Sequence, residues 1–192
     1  MCVYFKETLP LIVQRNLSDL DETLVCELRI PNKKCFFTGL YRSPSQSTDE
    51  FNQFYHKFEQ LLTNVDKLRP FLSVVVGDFN ARNSNWWPDD STNRLGLEID
   101  ELTSFYGYLQ LIDCATHILP KSSSCIDLVF CSQPNLVSSS GVDPSLISSC
   151  HHQITYAIFD FAIHYPSPYK RKVWHYQKAK IDLIKRSLSS IN

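Results

Sequence analysis

No Cys-x-x-Cys pair occurs among the seven cysteines, which stand at 2, 26, 35, 114, 125, 131 and 150. That removes the common zinc frameworks, and an odd count leaves at least one thiol unpaired. The cysteines read as small hydrophobes in a reducing compartment. No apolar run approaches the ~20 residues that span a bilayer, and residues 1–6 lack the apolar core of a signal peptide. No membrane partner is expected, and an intracellular setting, nuclear or cytoplasmic, is. Internal repeats are absent. Net charge is nearly absent too, at −1, so the chain as a whole makes no electrostatic case for nucleic acid. The balance is uneven, however. Beyond Tyr165, Lys170, Arg171, Lys172, Lys178, Lys180, Lys185 and Arg186 face a single acid, Asp182.

A chain of 192 residues, 43% hydrophobic and 20% charged, accommodates one domain with a real core. Residues 1–164 are expected to form it, with a basic connector over 165–192 after the prolines at 166 and 168. Strands are predicted at 2–6, 10–14, 24–30, 35–41, 72–77, 108–112, 125–130 and 154–161. Ser47 and Glu50 form a capping box ahead of Phe51, Phe54, Tyr55, Phe58, Leu61 and Leu62, which recur at helical spacing. A second helix is predicted over 96–106, ended by Gly107. The polar loop 81–95 carries Trp86 and Trp87, residues 116–124 read as a Ser/Lys/Pro loop, and 132–150 as serine-rich and irregular. Helix followed by buried strand is an α/β pattern.

Leu72-Ser73-Val74-Val75-Val76-Gly77-Asp78-Phe79-Asn80 reads as a strand buried on both faces that ends in a carboxylate and an amide. On extended backbone, side chains two apart share a face, which would set Asp78 beside Asn80 at the mouth of a sheet. Asp127 lies inside the apolar run 125–130, where a carboxylate must be paired or on a working face. His151 and His152 immediately precede the last strand, and Tyr41 and Arg42 end another. Aspartate, asparagine, aspartate and histidine together supply what phosphodiester hydrolysis needs. A carboxylate takes the proton of water, an amide steadies phosphate oxygens, and a carboxylate-aligned imidazole meets developing charge. Hard oxygen ligands favour Mg²⁺ or Mn²⁺. Each feature also has a plain structural reading. Gly-Asp is a common turn, a strand Asp often faces solvent, Trp86 can pack under its loop or stack on a base, and the basic tail can be a solvated helix.

At these residues the chain resembles the endonuclease/exonuclease/phosphatase superfamily, and within it the endonuclease domain of non-LTR (LINE-type, jockey- or RTE-like) retrotransposons. Leu40-Tyr41-Arg42-Ser43-Pro44 resembles the family's strand-end tyrosine motif, and Val75 to Ala81 its Gly-Asp-Phe-Asn motif. Ser124 to Phe130 is similar to its Ser-x-Ile-Asp strand. Ser149-Cys150-His151-His152-Gln153-Ile154 stands where the family reads Ser-Asp-His-x-x-Ile. The resemblance implies a four-layer, DNase I-like α/β sandwich and Mg²⁺- or Mn²⁺-dependent DNA nicking that primes reverse transcription. It further implies DNA and a reverse transcriptase domain as partners, with residues 165–192 leading toward the latter. Asp78 would position the water, Asn80 bind the phosphate, Asp127 orient His151 and Tyr41 touch the scissile phosphate. Arg42 and Trp86 would add substrate contacts. Sliding the alignment by one residue would put His152 in the histidine's place and lose the match at Ser149, so the reading takes His151.

Two departures qualify this. The family's upstream Asn and metal-holding Glu motifs have no counterpart here, since Glu7, Glu22 and Glu27 lie in other contexts; the domain is expected to be incomplete at its N-terminus. Cys150 replaces the Asp of Ser-Asp-His, removing a negative charge. No metal ligand is assigned, and weakened or lost metal binding is expected. The alternatives are a non-catalytic retroelement remnant that binds nucleic acid weakly, and a small-molecule phosphatase acting on inositol phosphates or sphingomyelin.

Overall fold

In a computed structural model of the chain, residues 7, 9–44, 47–146 and 151–161 are described. The strand predicted at 2–6, Cys150 and the basic segment 165–192 lie outside them.

The strands are β1 (Leu11–Val13), β2 (Thr23–Ile30), β3 (Lys33–Tyr41), β4 (Leu72–Asp78), β5 (Leu109–Gln110), β6 (His117–Leu119), β7 (Ser122–Ser124), β8 (Asp127–Cys131), β9 (Val137–Asp143) and β10 (Ile154–Phe159). The helices are α1 (Thr48–Asp66) and α2 (Arg94–Phe105). One six-stranded mixed sheet runs in the order β1-β2-β3-β4-β8-β5. Only β3 and β4 pair in parallel, as the intervening helix α1 requires. The remaining strands form two antiparallel pairs, β6–β7 and β9–β10.

Helix α1 starts where the capping box predicts. The Glu50 amide donates to the Ser47 hydroxyl, and the Ser47 amide donates to the Glu50 carboxylate at 2.7 Å. Its buried face, Phe51, Phe54, Phe58, Leu61, Leu62 and Val65, is the helical stripe of the sequence continued by one turn. Against it packs a ring-edge chain from Phe58 through Phe79 and Phe130 to Trp86, with centroids 5.3–5.8 Å apart. Phe79, with no exposure, is therefore a core residue that anchors the end of β4 under the helix.

Ladder partners share a face of the sheet, so the register sorts the side chains. Thr38, Val75 and Phe130 form one row on the helix-covered side. Phe37 lies on the other side, edge-on to Phe159 of β10 at 6.3 Å. Strand β4 is buried on both faces over residues 72–75, but Val76 is 39% exposed. The burial predicted for the whole run stops just where the site begins.

Two segments read as irregular contain strands. Residues 116–124 hold the β6–β7 hairpin, and 132–150 hold β9. Serine fills all of β7 and much of β9, and serine gives no strand signal of its own.

Candidate active site

Strand β4 delivers Asp78 at its last position. Tyr41 ends β3 directly opposite it, and Asp127 begins β8 on its other flank. The three residues thus form one row across three adjacent strands, all on the side away from α1. Tyr41 is 40% exposed and reaches solvent at the edge of this row.

Asp127 is fixed from behind. The hydroxyl of Thr116, wholly buried, accepts hydrogen bonds from the Ile126 amide (3.0 Å) and the Asp127 amide (2.9 Å). One residue back, the Cys125 amide donates to the carboxylate of buried Asp90 at 2.8 Å. Thr116 and Asp90 were not singled out from the sequence. Their contacts to the residues leading into β8 span 10 and 35 residues, and no local pattern announces them.

Asp127 pairs with His152, Nδ1 to Oδ2 at 3.0 Å. The sequence reading placed His151 there. The difference comes from β6, which holds the histidine segment as an added strand. His117 bridges His152, the Ile118 amide donates to the His151 carbonyl (2.9 Å), and the Gln153 amide donates to the Thr116 carbonyl (2.7 Å). Neighbouring side chains on extended backbone point oppositely. His152 faces the carboxylates and His151 is exposed. The His117 ring lies 4.7 Å from that of His152, and burial holds the pKa of His117 below the ordinary histidine value.

Asn80 does not share a strand face with Asp78. Extended structure ends at Asp78, and Asn80 adopts φ 47°, a left-handed conformation that Asn tolerates. The Asn80 backbone amide donates to Asp78 Oδ1 at 2.9 Å, and the Asn80 side chain also hydrogen-bonds the Asp78 carboxylate. The Asn80 side chain turns back and donates to the Arg42 carbonyl at 2.7 Å. Arg42 in turn is only 6% exposed, and its Nη1 reaches the Phe79 and Asn80 carbonyls at 3.4 and 3.5 Å. Arg42 and Asn80 interlock, holding the turn that carries Asp78 rather than projecting into solvent. Trp86 presents no face for stacking. It is 5% exposed, packs on Phe130, and donates its indole N–H to Asp100 at 2.8 Å.

The Asp78 carboxyl is held above the ordinary carboxylate range. Burial is the main cause and the Asp127 charge adds to it, against the Asn80 amide and His152, which pull it down. Two carboxylates side by side favour a proton or a cation between them. Asp78, Asp127 and His152 each bring one ligand atom within 4.8 Å of the others, a group that could hold a metal ion.

The raised pKa has a stability consequence with a definite sign. Folded Asp78 binds its proton more tightly than the unfolded chain does. Stability is therefore lost as pH rises from about 4 through the raised value, and regained below it. In EDTA at pH 7, Asp78→Asn is expected to unfold at a higher temperature than wild type, with the gap closing toward pH 3–4. A lower melting temperature for the variant at pH 7 would contradict this.

The fold matches solved structures. The endonuclease domain of TRAS1, a telomere-specific non-LTR retrotransposon, superposes with a TM-score of 0.66 at 20% identity, covering 80% of this chain and 70% of that one. A 3'-5' exonuclease from Neisseria meningitidis gives 0.56 at 14% identity, over 80% and 72%. An AP endonuclease from Archaeoglobus fulgidus gives 0.50 at 13%, over 71% and 65%. At such identities the likeness is one of fold, the mixed-sheet α/β fold of DNase I-like proteins. No curated protein sequence matches the chain. The model of the family described as endonuclease-reverse transcriptase does match, over residues 35–155, from β3 through β10's first residues. That span takes in Tyr41, Asp78, Asp127 and His152, and the chain belongs to this family, within the endonuclease/exonuclease/phosphatase superfamily.

Proposed function

We propose that the chain is a divalent-metal-dependent phosphodiesterase that nicks DNA, the endonuclease part of a non-LTR retrotransposon protein, with the four-layer sandwich of that class. The observation that carries this reading is the row Tyr41–Asp78–Asp127 with His152 hydrogen-bonded to Asp127.

In this reading Asp78 orients the attacking water and accepts its proton, a task its raised pKa suits. Asp127 holds the His152 ring, whose far nitrogen faces charge as it develops on the phosphate. Tyr41, exposed at the end of β3, supplies a hydroxyl to the same phosphate. Arg42 and Asn80 keep the 78–80 turn rigid, so their contribution is to position Asp78. Two adjacent carboxylates fit a hard divalent cation, and the imidazole extends the fit from Mg²⁺ to Mn²⁺. When bound, such an ion supplies charge neutralisation at the phosphate. The partners in this reading are DNA and a reverse transcriptase domain, and the setting is nuclear or cytoplasmic.

Relaxation of supercoiled plasmid tests the proposal. Wild type is expected to nick in Mg²⁺ or Mn²⁺ and not in EDTA, with Asp78→Ala slower by about 10²–10⁴-fold. Equal nicking by both proteins would sink the catalytic claim. No nicking by wild type would favour a non-catalytic remnant. Phosphate release from inositol phosphates without nicking would favour a small-molecule phosphatase.

A further inference from the structure

At the opposite end of the sheet, an open groove of about 760 Å³ lies between the β2–β3 turn and the C-terminal end of α1. Arg29, Lys33, Lys34 and Arg69 line it, with Ile30, Leu68 and Phe71 as its apolar part. Its one acid, Glu27, is buried and already answered by Arg29 at 3.1 Å and by Gln14. Lys33 lies 3.8 Å above the Phe71 ring. Among the described residues, none of Lys33, Lys34 and Arg69 has an ion-pair partner.

The surrounding body is acidic, which makes this concentration informative. Of 19 Lys and Arg, seven follow Phe161 and twelve precede it; of 20 Asp and Glu, one follows and nineteen precede, so residues 1–161 carry a net −7. Four of those twelve cations gather at one groove. A helix C-terminus attracts cations through its dipole, which accounts for Arg69 but not for Lys33 and Lys34 on the hairpin.

We propose that this groove binds the phosphate backbone of a nucleic acid, at a place separate from the catalytic row. Unpaired cations beside an apolar and aromatic surface suit a polynucleotide strand. From Lys33 to Tyr41 is eight strand steps, roughly 26 Å at about 3.3 Å each. Groove variants therefore leave the site's geometry alone. The proposal does not depend on cleavage.

The test is fluorescence anisotropy on the full chain, in EDTA, across a range of KCl concentrations. One arm uses a labelled 30-base-pair DNA duplex and the other a 30-nucleotide single-stranded RNA. The variant Lys33→Gln/Lys34→Gln/Arg69→Gln is expected to bind more weakly than wild type. Its plot of log affinity against log salt should be shallower by about 3 in the duplex arm and about 2 in the single-stranded arm, and the two proteins should converge at high salt. Loss in the duplex arm alone assigns the groove to DNA, loss in the RNA arm alone to RNA, and loss in both to either backbone. An unchanged slope in both arms, or no salt-sensitive binding by wild type, overturns the proposal. Should the triple variant melt early, Lys34→Gln alone should reduce the slope by about 1. Repeating the comparison in an Asp78→Asn background should give the same change; a change seen only with Asp78 intact would refute a separate site. Absence of nicking, by contrast, would count against the nuclease reading and leave this result standing.

Discussion

His152→Ala is expected to lower Mg²⁺-dependent nicking by about 10²–10⁴-fold, while His151→Ala leaves it close to wild type. The two residues are adjacent and chemically identical, so the contrast tests geometry alone. His152 faces Asp127 at 3.0 Å and sits within 4.8 Å of the Asp78 carboxylate group. His151 contributes its carbonyl to the Ile118 amide and leaves its ring exposed. Because charge on the phosphate grows only as the bond breaks, loss of the His152 ring should appear in kcat more than in KM. Asp127→Asn should fall in the same direction, since an amide orients the ring but cannot support its positive charge. The reverse ranking, with His151→Ala the more damaging, would return the histidine's role to the position that the Ser-Asp-His match favours.

That pair also shows where sequence reasoning ran out. The motif strand was readable nearly to the residue, because an apolar β-branched run followed by Gly-Asp has few other forms. The capping box at Ser47 and Glu50 was readable for the same reason: its signal is local. The choice between two neighbouring histidines was not local. It depends on β6, which hydrogen-bonds the histidine segment and whose hairpin partner β7 is all serine, a residue that gives no strand signal. Strand alternation does not extend to Asn80, which is left-handed, yet its side chain still reaches the Asp78 carboxylate. From the sequence, Arg42 reads as a strand-end cation within reach of phosphate and Trp86 as an aromatic able to stack on a base. Each is spent on an internal partner distant in sequence, Arg42 on the 79–80 carbonyls and Trp86 on Asp100.

Gly77→Ala is expected to be the most destabilising single substitution near the site, beyond about 4 kcal/mol, and to abolish nicking with it. Gly-Asp after a strand suggests a turn, but Gly77 lies inside β4, opposite Leu40 of β3. A Cβ there would stand 1.8 Å from the Leu40 carbonyl oxygen and 2.8 Å from its carbon. Both atoms are backbone, in the parallel ladder, so no side-chain rotation relieves the clash. The φ of 157° adds strain for any L side chain. Relief would require β3 and β4 to separate at the very step before Tyr41 and Asp78, dispersing the row they form with Asp127. Gly107→Ala provides the control. Its φ is 74° and a Cβ there meets nothing within 4 Å, so it carries the left-handed penalty alone, about 1 kcal/mol. Urea unfolding should therefore place the midpoint of Gly107→Ala modestly below wild type, with Gly77→Ala unfolded or far lower. Similar midpoints for the two variants would mean that β3 and β4 are not held this close, and that the row joining Tyr41 to Asp78 is looser than the ladder indicates.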